Sequence, residues 1–196
     1  MMEQYREMRI FVEKAINEPG SHGFDHTLRV ITLCEIIGRE EDAKMDILIP
    51  AAIFHDIARP LERKTGVPHE IKGAEMAEKY LIRISYGEKR ISQILHAIKA
   101  HRFSTAMVPE TLEAQILSDA DKLDAMGAVG IARTFISAGE RGDDIKDGLN
   151  HMHEKLLQLS GLLYTRSGQK MAEKRHEFLL SFVQALEKEI DMEITF

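Results

Sequence analysis

Apolar residues return along most of this chain every three or four positions, the period of an α-helix with one buried face. The first such stretch covers residues 3–16 and stops at Asn17-Glu18-Pro19-Gly20, a cluster that breaks helices. A second begins near Asp25 and sets Val30, Leu33 and Ile37 on one side. The third is apolar throughout, over residues 47–54, with Pro50 near its first turn, where proline is tolerated. Further helices are expected from Pro68 through Tyr80 and Leu81, over residues 88–100, and after Pro109. Gly127 and Gly130 allow close packing or a break before residues 131–137, and two more helices are expected over 149–159 and 167–190. Between them, residues 139–148 carry glycines and charges with little apolar surface, which predicts an exposed, mobile loop. No stretch alternates as a strand does. The predicted fold class is all-α.

Composition narrows the function more than the fold. With 26 basic residues against 32 acidic ones the formal net charge is −6, which argues against a nucleic-acid polymer or an anionic membrane as the main partner. A small anionic substrate stays open, because a basic pocket can sit on an acidic surface. No Pro-rich or Gly/Ser-rich linker divides the 196 residues, so one domain is expected, with a motif core at about 21–125 and the helices of 126–196 packed on it. The single cysteine, Cys34, has no internal partner and suits a reducing compartment. The opening residues lack a signal-peptide core, and no apolar run approaches the ~18 residues of a membrane span. A cytoplasmic protein is expected.

The chemistry concentrates at Ala51-Ala52-Ile53-Phe54-His55-Asp56. Apolar residues lead directly into a histidine and an aspartate, and burying an ionised carboxylate calls for a basic partner or a metal. Neighbours on a helix point about 100° apart, so His55 and Asp56 can reach one ion in a groove between helices. His26 continues the stripe of Val30, Leu33 and Ile37 back by one turn and points inward. Asp121 lies one turn after Leu117, on a face shared with Asp124. His26, His55, Asp56 and Asp121 together offer two imidazoles and two carboxylates, a mixed N/O set that suits a catalytic divalent ion (Mn, Fe, Ni, Co or Zn, with Mg kept in the set) better than a structural zinc.

In order and context, His26, His55-Asp56 and Asp121 resemble the H…HD…D pattern of the HD-domain metal-dependent phosphohydrolase superfamily, in particular its small stand-alone bacterial and archaeal members. The likeness extends to Ser21-His22-Gly23-Phe24-Asp25-His26, Phe54-His55-Asp56-Ile57, Asp119-Ala120-Asp121-Lys122-Leu123-Asp124, the segment from Gly127 to Arg133, and the helix after Asn150. It implies a helical bundle with the metal at its centre, and hydrolysis of phosphate esters or anhydrides, commonly in nucleotides. It also prefers Asp121 to Asp119 as the metal aspartate, since a basic and an apolar residue follow it. In some branches extra histidines between the HD dipeptide and the last aspartate bind a second metal. His69 and His101 fall there on inward stripes, and substrate phosphate is their other reading.

A phosphohydrolase needs positive charge where phosphoryl oxygens sit. Arg29, Arg59, Lys72 and Lys122 are the candidates, and His22 is a further pocket residue. Beside Asp56, Glu62 and Glu70 are candidate general bases, although a metal can supply hydroxide itself. The Glu-Asp dipeptide of the guanosine-tetraphosphate hydrolase branch is replaced by Ile57-Ala58-Arg59-Pro60-Leu61-Glu62. His96, His151, His153 and His176 read as surface or capping residues, with an approach of His151 and His153 to the cleft as their other reading, and a homodimer through the charged, apolar-striped run at 170–188 stays open. An HD-fold di-iron oxygenase and a non-catalytic nucleotide sensor are the competing functions.

Overall fold

The computed structural model of the protein describes residues 2–17, 20–21, 23–102 and 107–193. Among them the chain forms ten α-helices, one 3₁₀ helix and no strand. Helix α1 (Met2–Ile16) buries Met8, Val12 and Ile16 from one stripe, and α2 (Phe24–Glu40) buries His26, Val30, Leu33 and Ile37 from another. The centre is α3 (Met45–Phe54), buried at every position from Ile47 to Phe54. Around it stand α1, α2, α5 (His69–Arg83), α6 (Glu88–Ala100) and α7 (Leu112–Asp124). A helix surrounded on all sides has no use for a polar face, which is why its sequence shows no amphipathic period.

Helix α3 begins earlier than its apolar run suggests, so Pro50 lies inside it rather than in its first turn. Proline has no N–H to give the carbonyl of Asp46. That carbonyl instead accepts the hydroxyl of Tyr86, from the turn between α5 and α6, at 2.8 Å. Tyr86→Phe should therefore destabilise the protein by about 1 kcal/mol, or ~2–4 °C in a thermal melt for a chain of this size. An unchanged melting temperature would mean that the carbonyl finds another donor.

Two local expectations fail. Residues 139–148 are mostly helical: α8 (Gly127–Arg141) runs on to Gly142, whose left-handed backbone (φ 79°) ends it, and α9 (Ile145–Glu154) begins at once. The reason is a reciprocal cap, in which Asp144 and Asp147 each accept the other's backbone N–H. The helix expected over 149–159 is α9 followed, after a break at Lys155, by the 3₁₀ helix Leu156–Leu162. A short helix, α4 (Arg59–Thr65), has no apolar period to announce it; Pro60 at its start and left-handed Gly66 at its end are its only local signals.

The last helix, α10 (Arg166–Glu193), packs on α7 and α8. Its start is tied to α7 by Asp119, whose carboxylate accepts the backbone N–H groups of Tyr164 (2.9 Å) and Thr165 (2.8 Å) and the Thr165 hydroxyl (2.7 Å). At the corner between α7 and α8 a side chain on Gly130 would stand 2.2 Å from the Ala125 carbonyl oxygen, so only glycine fits. Among the described residues no helix is long and apolar enough to cross a membrane.

Candidate metal centre

At the end of α3 the chain turns through residues 55–58 before α4, and this turn places His55 and Asp56 among α2, α5, α6 and α7. His55 and Asp56 are buried, as are His26 of α2, His69 of α5 and His101 just past α6. Asp56 stands between two pairs of imidazoles. Its Oδ2 is 3.5 Å from His26 Nε2 and 3.8 Å from His55 Nε2, and those nitrogens are 3.2 Å apart. Its Oδ1 is 3.2 Å from His69 Nε2 and 3.7 Å from His101 Nε2, themselves 3.3 Å apart. Asp121, at the side of the first pair, brings Oδ1 to 3.4 Å from His26 Nε2.

The outer nitrogen of each ring is already committed. Nδ1 of His55 donates to the Ala52 carbonyl (2.8 Å) and that of His101 to the Ile98 carbonyl (2.6 Å). Nδ1 of His26 is 2.7 Å from Asp124, and that of His69 is 2.9 Å from Glu62. A ring whose outer nitrogen carries the proton presents a lone pair on the inner one. Each pair thus aims two lone pairs and a carboxylate oxygen at one point, which is favourable only with positive charge there. Asp56 Oδ2 is buried without a hydrogen-bond partner, an orphan that coordination would satisfy. Borderline divalent metals prefer such mixed imidazole and carboxylate sets. The residues fit a metal at the His26, His55, Asp56 position and another at the Asp56, His69, His101 position.

The electrostatics agree. Burial lowers the affinity of His26 for a proton, yet its contacts with Asp121, Asp124 and Asp56 outweigh this and lift its pKa to about 10. Burial, with the charges of His101 and His26 added, takes His55 down to about 4 against the pull of Asp56. Burial works against the charge of Asp56, but Arg59 and the surrounding histidines hold its carboxyl well below the usual range. The site demands cationic charge beside His26 and keeps His55 neutral, as a ligand must be.

The sequence candidates separate. His26, His55, Asp56 and Asp121 come together, and His69 and His101 complete a second pair across Asp56. Glu62 and Glu70 lie behind His69: Glu62 bonds it and both reach Arg102, at 3.0 and 3.3 Å. Arg59 bonds Asp56 (2.9 Å) and Glu62 (3.3 Å). Arg29 does not line the cleft and bonds Asp124 twice, at 2.7 and 3.1 Å. Lys122 is buried, with its ammonium on the Ser118 hydroxyl (2.7 Å) and over the Tyr164 ring. Lys72 is not brought to the site: it points outward and pairs with Glu75 at 2.7 Å. His22 lies outside the described residues.

Asp121 opens onto a cleft of about 280 Å³ whose walls carry Arg59, Arg102, Lys122, Arg133, Arg141 and Lys155. Of these, sequence reasoning missed Arg102, Arg133 and Lys155 and gave Arg141 to a loop. His151 lines the same cleft, the second of its two sequence readings. No spacing rule singles these residues out, because they converge from α8, α9 and the segment after α6. Asp124 was visible on the face of Asp121, but its task shows only in three dimensions: it holds His26, Arg29 and Arg133 (2.8 Å) at once.

Comparison with known proteins agrees with this picture. The family model "HD domain" matches residues 23–126. YpgQ of Bacillus subtilis is 32% identical over 96% of this chain and 95% of its own. Its crystal structure in complex with ADP superposes with a TM-score of 0.78, at 31% identity, covering 95% of this chain and 97% of that one. A predicted HD superfamily hydrolase from an uncultured Thermotogales bacterium gives a TM-score of 0.71 at 33% identity, covering 94% and 91%. Ribonuclease Y of Chloroflexus aurantiacus is 30% identical over 53% of this chain but only 18% of its own length.

Proposed function

The chain belongs to the HD-domain hydrolase superfamily, and from that premise we propose that it is a metal-dependent phosphohydrolase cleaving a phosphate ester or anhydride bond in a nucleotide. The observation that carries this reading is the opening of the Asp56 constellation, through Asp121, onto a cleft walled by cations. Six basic side chains around so small a cavity suit a substrate with concentrated negative charge. The crystallisation of YpgQ with ADP supports a nucleotide.

His26, His55, Asp56 and Asp121 would hold one ion, and Asp56, His69 and His101 would hold a second. When bound, a divalent ion supplies Lewis-acid polarisation of a phosphoryl oxygen and a hydroxide nucleophile at neutral pH. The chain supplies the rest. The Ala52 and Ile98 carbonyls and the Asp124 and Glu62 carboxylates fix the four ring planes, so no imidazole has to reorient as charge develops. Arg59 keeps Asp56 ionised while facing the cleft, where phosphoryl oxygens gather charge. Lys122 is fixed by Ser118 and presents a second cation to the same space.

The test is reconstitution of metal-free protein with each of Mn, Fe, Co, Ni, Zn and Mg, followed by a nucleotide panel scored for phosphate and pyrophosphate release. Release with at least one pair is expected. The pairing of His69 with His101 also suits the di-iron oxygenase reading. Oxygen uptake with a two-iron spectrum, and no phosphate or pyrophosphate from any nucleotide, would replace the proposal with that one.

A further inference from the structure

The cations of the cleft are not equally available. Arg59 is committed to Asp56 and Glu62, and Arg102 to Glu62 and Glu70. Arg133 is committed to Asp124, and Arg141 to Asp143 at 2.7 Å. These arginines hold the protein's own carboxylates in place, and an incoming phosphate has to share them. Lys122 has its ammonium on Ser118 and over Tyr164. Lys155 differs from all of them. Among the described residues its ammonium makes no hydrogen bond and no ion pair, although the side chain lines the cleft and its charge interacts with Asp121, Arg59 and Arg102.

Its position is built. Lys155 is the break between α9 and the 3₁₀ helix: its N–H bonds the His151 carbonyl at 3.1 Å, and the next residues, Leu156 and Leu159, are buried in the core. The backbone around it is therefore anchored, and its exposed side chain lines the cleft onto which Asp121 opens. His151 lines the same cleft, and burial together with the charges of Lys155 and Arg141 lowers its pKa.

We infer that Lys155 is the substrate's phosphate anchor, binding phosphoryl oxygens in the cleft that it lines together with Asp121. This rests on the phosphoryl-substrate reading above, and it assigns the grip on phosphate to a residue outside the HD motif. Lysine suits the task as a compact point charge on a flexible stem with three donors.

The experiment measures binding of ADP and of inorganic phosphate to the full chain by calorimetry, with and without manganese, for the wild type, Lys155→Ala, Lys155→Arg and, as a control on α10, Lys188→Ala. Lys155→Ala should weaken both ligands by at least about tenfold, the loss of one charge-assisted contact. Lys155→Arg, which keeps the charge but not the compact ammonium, should lose less than Lys155→Ala, and Lys188→Ala should match the wild type. Manganese content and melting temperature should be unchanged in Lys155→Ala, and in turnover its loss should appear in KM rather than kcat. Equal binding by the wild type and Lys155→Ala would overturn the inference, whether or not nucleotides are hydrolysed. Lysine-dependent ADP binding without phosphate release from any nucleotide would uphold it while removing the hydrolase reading.

Discussion

Asp56→Ala is expected to leave the protein without retained metal and with turnover below detection. Among the described residues Asp56 is the one that faces both imidazole pairs, its two oxygens divided between them. Its removal takes the carboxylate from both positions and leaves Arg59 without its 2.9 Å partner. Loss of a residue merely supporting a metal ligand costs about 10–100-fold in affinity, and loss of a shared ligand should exceed that. Asp56→Asn separates charge from shape, because it keeps one acceptor oxygen but no negative charge. It should also fail to hold metal, with helical content unchanged by circular dichroism. A full metal complement by elemental analysis with normal turnover, in either variant, would remove Asp56 from the centre.

Asp124→Ala should produce the second largest effect, in two measurements at once. The carboxylate is buried and accepts from His26, Arg29 and Arg133, so its loss frees the ring of His26 and takes one partner from each guanidinium, leaving Arg29 with Asp25 and Arg133 with the Ser21 carbonyl. Metal affinity should fall about 10–100-fold, as for other partners that orient a ligand histidine. Breaking a buried charge network by removing one member should cost about 3 kcal/mol, at the low end because Arg29 is partly exposed. For a chain of this length that is ~6–12 °C in melting temperature. Asp124→Asn keeps an acceptor for His26 and should lose less metal affinity than alanine. Affinity within twofold of wild type in Asp124→Ala would show that His26 is oriented by something else.

Much of this arrangement was legible because it follows from local rules. The inward stripe Val30, Leu33, Ile37 projects back onto His26, and the apolar run before His55 announces a buried turn with a charge at its end. The stripe Ile91, Ile94, Ile98 likewise leads to His101. The difference between Asp119 and Asp121 is physical: Asp119 turns to the opposite side of α7 and caps the start of α10, while Asp121 faces His26. Illegible were features that depend on three-dimensional geometry, whether within one turn or between distant segments. Residues 139–148 looked loose because the Asp144–Asp147 cap is a matter of geometry, and Lys72 looked like a pocket residue because its distance from the cleft has no sequence mark. Glu62 looked like a base, and it turns out to be shared among His69, Arg59 and Arg102.

The segment matched by the family model ends at residue 126, yet Arg133, Arg141, His151 and Lys155 all come after it. His26, His55, Asp56, His69, His101 and Asp121 all lie before that point. The imidazole pairs thus come from the earlier length of chain, while the cleft they open onto is lined from both lengths, Arg59, Arg102 and Lys122 from the earlier and Arg133, Arg141, His151 and Lys155 from the later, tied by Asp119 to Thr165 and by Arg133 to Asp124. Inheritance can act on them separately. Changes confined to the chain beyond α7 would alter Arg133, Arg141, His151 and Lys155 while leaving the histidines and aspartates of both pairs untouched, so two proteins alike in those residues need not share a substrate.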